Sequence, residues 1–146
     1  MYHRHVELFL HIVWSTWDRV PWIDPTYDRE IRRCAHRQIG AAGVLLASGA
    51  YDDHVHVLLR ASPTIVPATV VGAIKGHTSH ELHARFAVDP AMRFSEGYAL
   101  FSVSPEHVTR LVRYIEDQRV RHAEQRLSTR WELPPAHEED PALWPR

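Results

Sequence analysis

Apolar and polar positions follow two different periods along the chain, and each change of period marks the boundary of a predicted element. Four short runs rich in β-branched and aromatic residues predict strands. Three longer segments, with apolar residues three or four positions apart, predict helices. The predicted strands cover about residues 6–16, 44–50, 54–60 and 97–103, and the predicted helices about 25–42, 66–86 and 105–126.

The order of these elements, β-α-β-β-α-β-α, predicts the fold class. Two βαβ-type crossovers with a central hairpin give an α+β fold, the ferredoxin-like split βαβ arrangement. We expect a four-stranded antiparallel sheet with helices on one face, formed by residues 1–126. Residues 127–146 form a proline-rich, acidic tail that we expect to be extended and to dock through Trp131 or Trp144. Such a fold serves several functions, single-stranded nucleic-acid binding among them, so it assigns none by itself.

Composition bounds the class of protein. With 146 residues, 45% of them hydrophobic and 24% charged, the chain is long enough for one domain with its own core. No apolar run approaches the roughly 18 residues of a membrane span, and the first residues do not resemble a signal peptide. Cys34 is the single cysteine, so no internal disulfide can form. We therefore expect a protein of the reducing cytoplasm with no membrane partner.

The charge is near neutral but biased towards arginine. A net charge of −1 argues against a protein that coats nucleic acid through bulk charge. Sixteen of the 17 basic residues are arginine, which makes bidentate contacts with phosphate and guanine. A GC-rich genome would produce the same bias. Arg32, Arg33 and Arg37 lie on the first predicted helix, where they form either a phosphate-binding surface or an ordinary solvated face.

Two histidines occupy alternate positions of the third predicted strand. His54 and His56 point to the same face, about 7 Å apart, while Val55 and Val57 point to the other. Two imidazoles in this arrangement suit a divalent metal if a third ligand arrives from elsewhere. The alternative is a pair of partly exposed histidines without a function. His11, in the middle of the first strand, is expected to be a hydrogen-bonded core residue.

The last predicted helix carries a second pair. Tyr114 and Gln118 are spaced i, i+4, so they project from neighbouring turns of one helical face, beside the apolar stripe. Together with the histidines, this pair belongs to a pattern of five segments along the chain. In these segments the chain resembles the single-tyrosine transposases of the HUH superfamily, the IS200-like and REP-associated group. The five segments, spread over about residues 6–122, are Ile12–Thr16, Asp53–Leu59, Ile74–Ser79, Gly97–Ser104 and Tyr114–Gln118.

The resemblance implies a chemistry for these residues. Tyr114 would be the nucleophile that attacks a phosphate of single-stranded DNA, leaving a 5′-phosphotyrosine and a free 3′-OH that can be rejoined without ATP. His54, His56 and Gln118 would hold Mg²⁺ or Mn²⁺, which polarises the phosphate. A free phenol has a pKa near 10, so the tyrosine needs the metal or the phosphate beside it.

The resemblance also implies partners. The expected substrate is single-stranded DNA with hairpin-bearing element ends, and the expected assembly is a homodimer in which the last helix of one chain can serve the histidines of the other. Action would take place on the nucleoid of a bacterial cell. The expected DNA contacts are phosphate-binding and stacking side chains: Lys75, Arg32, Arg33, Arg37, Ser79 and Trp14. Trp17 is an alternative to Trp14 for stacking on a base.

The chain departs from the family pattern at Asp52, where proline is common, and at Phe94, where tryptophan is common. Its near-neutral charge also predicts binding that depends strongly on the hairpin. Two other functions remain open: a domesticated relative that binds or nicks structured repeat DNA, and a non-catalytic ferredoxin-like module that binds nucleic acid or metal. Tyr114 favours the two DNA-processing hypotheses, since a binding module has no need of it.

Overall fold

The computed structural model describes residues 4–128 and 131–132. No helix within these residues has the length and apolarity needed to cross a bilayer. The elements follow the predicted order, except that the last predicted helix is divided in two. The strands are β1 Phe9–Ser15, β2 Gly43–Tyr51, β3 His54–Ala61 and β4 Ala99–Val103, and the helices are α1 Asp28–Ile39, α2 Pro67–Arg85, α3 Val108–Glu116 and α4 Gln118–Ala123.

The four strands form one antiparallel sheet in the order β2-β3-β1-β4. This confirms the predicted α+β fold with its split βαβ connections. β2 and β3 form the predicted hairpin, and β3 lies in the interior of the sheet with a neighbour on each side. The register places His56 opposite Val13 of β1 and opposite Gly49 of β2. The two histidines therefore lie on an interior strand of the sheet and not on an edge strand.

The sheet is covered on both faces. On one face, apolar residues of β1 and β3, such as Ile12 and Val57, pack with α1 and α2 in the main core. On the other face, Leu58 packs beneath Leu111 and Ile115 of α3. The expectation of helices on one face thus holds for the two crossover helices, whereas α3 covers the opposite face. The reason is visible in β3, whose alternate residues are buried on both sides and so need a second cover.

The C-terminal helical segment is interrupted. The prediction of one helix over 105–126 is wrong, because a 3₁₀ turn at Pro105–His107 precedes α3, and α3 ends before α4 begins. Asp117 lies between them with ψ at 19°, outside the helical range. Gln118 nevertheless stays next to Tyr114, because its side-chain amide donates to the Tyr114 carbonyl over 3.3 Å.

Gly49 permits the close approach of α3 to the sheet. A Cβ atom at this position would lie 1.9 Å from the carbonyl oxygen of Ile115, far inside any real contact distance. Only glycine leaves room for the helix backbone at this point of β2. Since Gly49 is opposite His56 in the register, the close approach occurs beside the histidines.

Candidate active site

His54 and His56 project from β3 towards α3, as the strand alternation predicts. Their side chains are 1% and 0% exposed, and their ring centroids are 5.1 Å apart. They are therefore buried, but not among aliphatic side chains. Ionisable and amide groups of the C-terminal part of the chain surround them, and the site is built from the sequence-distant residues His11, Tyr114, Gln118, His122 and Glu132.

Asp53 sets the proton position on the His54 ring. Nδ1 of His54 is 2.6 Å from the Asp53 carboxylate, which can only accept, so Nδ1 carries the hydrogen. Nε2 of His54 then faces the Gln118 amide oxygen at 3.3 Å and the Glu132 carboxylate at 3.2 Å. Burial opposes protonation, but the bonds with Asp53 and Glu132 outweigh it and raise the pKa of His54. Nε2 is the atom available for a cation.

His11 is the partner of His56. Nε2 of His11 is 2.9 Å from Nδ1 of His56, and the two rings are stacked. Burial lowers the pKa of both groups, that of His11 to about 3, so two neutral rings share one proton. His11 is thus the hydrogen-bonded core histidine that was expected, and its partner is one of the two predicted metal ligands. When His56 donates from Nδ1, its Nε2 carries a lone pair.

Tyr114 lies against these rings. Its side chain is 1% exposed, and its ring meets His56 edge to face with centroids 6.1 Å apart. The phenol donates a short hydrogen bond to the Glu132 carboxylate and accepts one from the Ser128 amide over 3.1 Å. Burial, followed by the hydrogen bond to the Glu132 carboxylate, raises the pKa of Tyr114 to about 12. The hydroxyl is therefore protonated at neutral pH and needs a positive charge nearby to become a nucleophile.

Glu132 is the residue of this site that the sequence did not reveal. It belongs to the predicted tail, yet its carboxylate lies 3.2 Å from Nε2 of His54 and 3.3 Å from Nε2 of His56. Burial opposes its ionisation, but the contacts with the two histidines outweigh it and hold the pKa of Glu132 well below its usual range. The one available signal was Trp131, the first of the two tryptophans expected to dock, which packs on the Tyr114 ring at 4.9 Å; Trp144 lies outside the described residues.

The donor atoms fit a divalent metal ion. One ligand atom each of His54, His56 and Glu132 lie within 4.8 Å of one another. Nε2 of His56 is buried and has no partner in hydrogen-bond geometry among the described residues, although the Glu132 carboxylate is close. Nitrogen and oxygen atoms that can act as ligands thus converge on one buried space, an arrangement that a cation stabilises. The predicted ligand Gln118 directs its amide oxygen into the same space.

The predicted DNA contacts are dispersed, and most of them lie away from this site. Lys75 donates to the carbonyls of Ser95 at 2.5 Å and Gly97 at 3.0 Å, which ties α2 to the segment before β4. Burial lowers the pKa of Lys75. Ser79 is half-buried on the same helix. Both residues belong to the layer on the opposite face of the sheet from Tyr114.

Of the three α1 arginines predicted to contact DNA, two are free for contact and one is engaged in ion pairs. Arg33 pairs with Glu30 at 2.7 Å and Glu81 at 3.1 Å, whereas Arg32 and Arg37 are exposed. Arg32 and Arg33, with other residues, line a surface cleft of about 460 Å³ beside α1. This cleft also lies on the face of the sheet away from Tyr114, so it can contact only DNA that extends beyond the reaction site.

Trp14 is completely buried, with its ring edge against Phe94. A base cannot reach this ring without opening the core, so the expected stacking role does not fit Trp14. Trp17 is 39% exposed and is covered on one face by the Arg93 guanidinium, 4.1 Å from the ring centroid. Of the two tryptophans considered, Trp17 is the one available for stacking.

Comparison with known proteins gives one family and two similar structures. The family profile described as "Transposase IS200 like" matches residues 5–118. A transposase candidate from Deinococcus radiodurans is 21% identical, with a TM-score of 0.59 over 81% of this chain and 96% of that chain. A REP-associated tyrosine transposase bound to a REP hairpin is 12% identical, with a TM-score of 0.60 over 84% and 73%. Both likenesses establish the fold. None of the curated proteins matches this chain significantly.

Proposed function

The chain belongs to the IS200-like transposase family, and from this premise we propose that it cleaves and rejoins single-stranded DNA through Tyr114. One observation carries the proposal: the Tyr114 hydroxyl, both histidines of β3 and Gln118 meet in one buried cluster of a single chain. A structural tyrosine would have no reason to share a charged carboxylate with two potential metal ligands. We therefore assign Tyr114 of this cluster as the nucleophile of the family's transposase activity.

The proposed reaction is a transesterification. The Tyr114 oxygen bonds to phosphorus as the bond between phosphorus and the 3′-oxygen breaks, which leaves a 5′-phosphotyrosine and a 3′-OH. The phenol proton leaves along the hydrogen bond to Glu132 and is passed on to the departing 3′-oxygen, so the step neither gains nor loses a proton. Attack by a 3′-OH on the phosphotyrosine reverses these steps and joins a new strand. No external energy source is needed, because each phosphodiester bond that breaks is replaced by another ester.

His54, His56, Gln118 and Glu132 are the residues that would hold a divalent ion, Mg²⁺ or Mn²⁺. When bound, such an ion supplies positive charge that polarises the phosphate and favours the phenolate. The protein's own part is to orient the donors. Asp53 turns Nε2 of His54 inward, and His11 does the same for Nε2 of His56. Burial keeps bulk water away from the tyrosine.

The expected substrate is DNA with a hairpin. The similar structure of a REP-associated tyrosine transposase is bound to a REP hairpin, which supports the same class of ligand here. The exposed Arg32 and Arg37 are suited to phosphates of a duplex stem, and Trp17 to stacking. Because the two arginines lie on the face of the sheet away from Tyr114, we assign them to binding of the hairpin and not to cleavage. Action on the bacterial nucleoid belongs to this proposal as well.

The decisive test is formation of a covalent adduct. Incubation with Mn²⁺ and hairpin-bearing single-stranded DNA from the gene's own flanks should give a protein–DNA adduct that survives denaturation. Tyr114→Phe should abolish it, because phenylalanine keeps the ring and removes the nucleophile. Tyr98→Phe, a matched change at an exposed tyrosine, should leave it intact. An adduct that persists in Tyr114→Phe contradicts the proposal, and binding without cleavage by the native protein favours a non-catalytic module.

Action within one chain is part of the proposal, since the cluster needs no second subunit. The expected homodimer stays a prediction. Mixing Tyr114→Phe with His54→Ala distinguishes the two cases, because each variant lacks a different half of the site. If the tyrosine serves its own histidines, the mixture should remain inactive. Recovery of cleavage in the mixture would show that the tyrosine acts on the partner's metal site.

A further inference from the structure

His122 lies beside the cluster and has no role in the reaction as derived so far. It is on α4, four residues after Gln118, so both side chains project from neighbouring turns of the same helix face. Its ring is stacked on Tyr51, with centroids 3.7 Å apart and planes 1° from parallel. Tyr51 is itself opposite His54 in the hairpin register. The hairpin thus holds the His122 ring in one orientation.

The orientation directs a third ring nitrogen to the same atom. Nε2 of His122 is 3.3 Å from Nε2 of His54. That atom of His54 already faces the Gln118 oxygen at 3.3 Å and the Glu132 oxygen at 3.2 Å. Since Asp53 holds the hydrogen of His54 on Nδ1, three groups surround a lone pair. A hydrogen bond from His122 would satisfy one of these contacts, whereas a cation satisfies all of them.

The spacing of the donors agrees with shared coordination. Protein ligands lie about 2.0–2.2 Å from a small divalent ion, so adjacent ligands are about 3.0 Å apart in an octahedral site and about 3.4 Å in a tetrahedral one. The contacts of 3.2–3.3 Å around Nε2 of His54 fall within that interval.

We propose that His122 is a further metal ligand, which joins Gln118 on α4 to the histidines of β3. The inference rests on the proposed function, because it concerns the same ion. On this proposal α4, whose His122 ring stacks on Tyr51, contributes metal ligands in addition to covering the sheet. His122 lies outside the residues 5–118 that match the family, so the family pattern does not assign it.

The consequence is a preference among metals. Imidazole nitrogens favour first-row transition ions, whereas Mg²⁺ prefers oxygen ligands and keeps much of its water. The ligand atoms of His54, His56 and Glu132 lie within 4.8 Å of one another, and the His122 nitrogen joins this group through its contact with His54. With His122 included, the site offers three nitrogens against the oxygens of Gln118 and Glu132. Co²⁺ should therefore bind this protein more tightly than Mg²⁺, and loss of His122 should reduce that difference.

Metal titration of the full chain, without DNA, tests the assignment. Co²⁺ binding is measured by calorimetry and by the visible absorption of the bound ion, whose bands report the number and kind of ligands. His122→Phe keeps a ring on Tyr51 and removes the donor, so it should raise the Co²⁺ dissociation constant about tenfold or more and alter the absorption bands. The dissociation constant for Mg²⁺ should change much less. His36→Phe, at an exposed position of α1, is the matched control.

The outcomes separate the inference from the proposed function. If His122→Phe binds Co²⁺ with native affinity and native absorption while His54→Ala loses binding, His122 is not a ligand and the metal site stands. If His54→Ala also binds normally, the metal site itself is refuted. His122→Ala repeats the measurement without a ring, should the phenylalanine variant fail to fold. Retained affinity in that variant overturns the assignment equally.

Discussion

Gly49→Ala should separate the tyrosine from its metal ligands without removing any functional group. The added methyl group points at the carbonyl oxygen of Ile115, the residue next to Tyr114. A glycine that forms part of the sheet has no chemistry of its own. Any effect on the reaction must therefore come from displacement of α3.

The size of the displacement follows from the contact. The Cβ would lie 1.9 Å from the carbonyl oxygen, and real Cβ contacts are essentially never below 3.0 Å. The helix backbone must therefore retreat by about 1.1 Å or more, because neither atom belongs to a flexible side chain. Overpacking of this kind costs about 1–3 kcal/mol. A displacement of about 1 Å at a reacting group can lower the rate about 100-fold.

Two measurements follow this change. Thermal unfolding should show a melting temperature lower by roughly 4–10 °C, as expected for such a loss in a domain of this size. Adduct formation on hairpin DNA should fall about 100-fold, while Co²⁺ binding is weakened less, since His54 and His56 stay in β3. Gly72→Ala is the matched control. Its Cβ would meet nothing within 4 Å, and alanine in α2 should stabilise the helix by about 0.5–1 kcal/mol.

The result that refutes this reasoning is native adduct formation by Gly49→Ala together with a native melting temperature. It would mean that the close approach of α3 to β2 is not required for the site. A lower melting temperature with native activity would place the loss elsewhere, in the sheet itself. Equal losses in Gly72→Ala would mean that the effect belongs to glycine replacement in general.

Three further outcomes are expected. The free energy of unfolding should fall as the pH drops from 6.5 towards 3, by up to about 1.4 kcal/mol per pH unit from His11 alone, because the unfolded chain takes up a proton that the buried ring does not. Urea unfolding of His11→Phe should show a smaller fall in unfolding free energy over this pH range. An equal fall in the native protein and the variant contradicts the prediction. Glu132→Gln should weaken Co²⁺ binding about tenfold and lower the pKa of Tyr114 from about 12 towards 10. The pKa is measured by ultraviolet titration, with Tyr114→Phe as the reference. Unchanged Co²⁺ affinity would mean that the Glu132 carboxylate is not a metal ligand. Replacement of both Arg32 and Arg37 by alanine should reduce the slope of log affinity for the hairpin against log salt concentration by about two. Adduct formation at saturating DNA should stay unchanged. An unaltered slope would exclude phosphate contacts at these two arginines.

The local periods of the sequence were sufficient for the architecture. Alternation in β3 placed His54 and His56 on one face, and the order of elements predicted the split βαβ sheet, since both depend on short-range patterns. The same patterns favoured one long helix where the structure has two. The interruption at Asp117 coincides with long-range ion pairs of Arg119, which reaches Asp52 at 2.9 Å and Asp28 at 3.2 Å. Such contacts leave no periodic signal.

The sequence by itself therefore determined the fold, the histidine pair and the tyrosine with its glutamine, because each is encoded within a few neighbouring positions or in the order of elements. Only the tertiary structure decided the neighbours: His11 on His56, His122 on His54, and Glu132 between the histidines and the tyrosine. These partners come from segments 45 to 78 positions away from the histidines they meet. Packing brings these partners together, since both faces of the sheet must be covered and Gly49 allows α3 to approach the sheet closely.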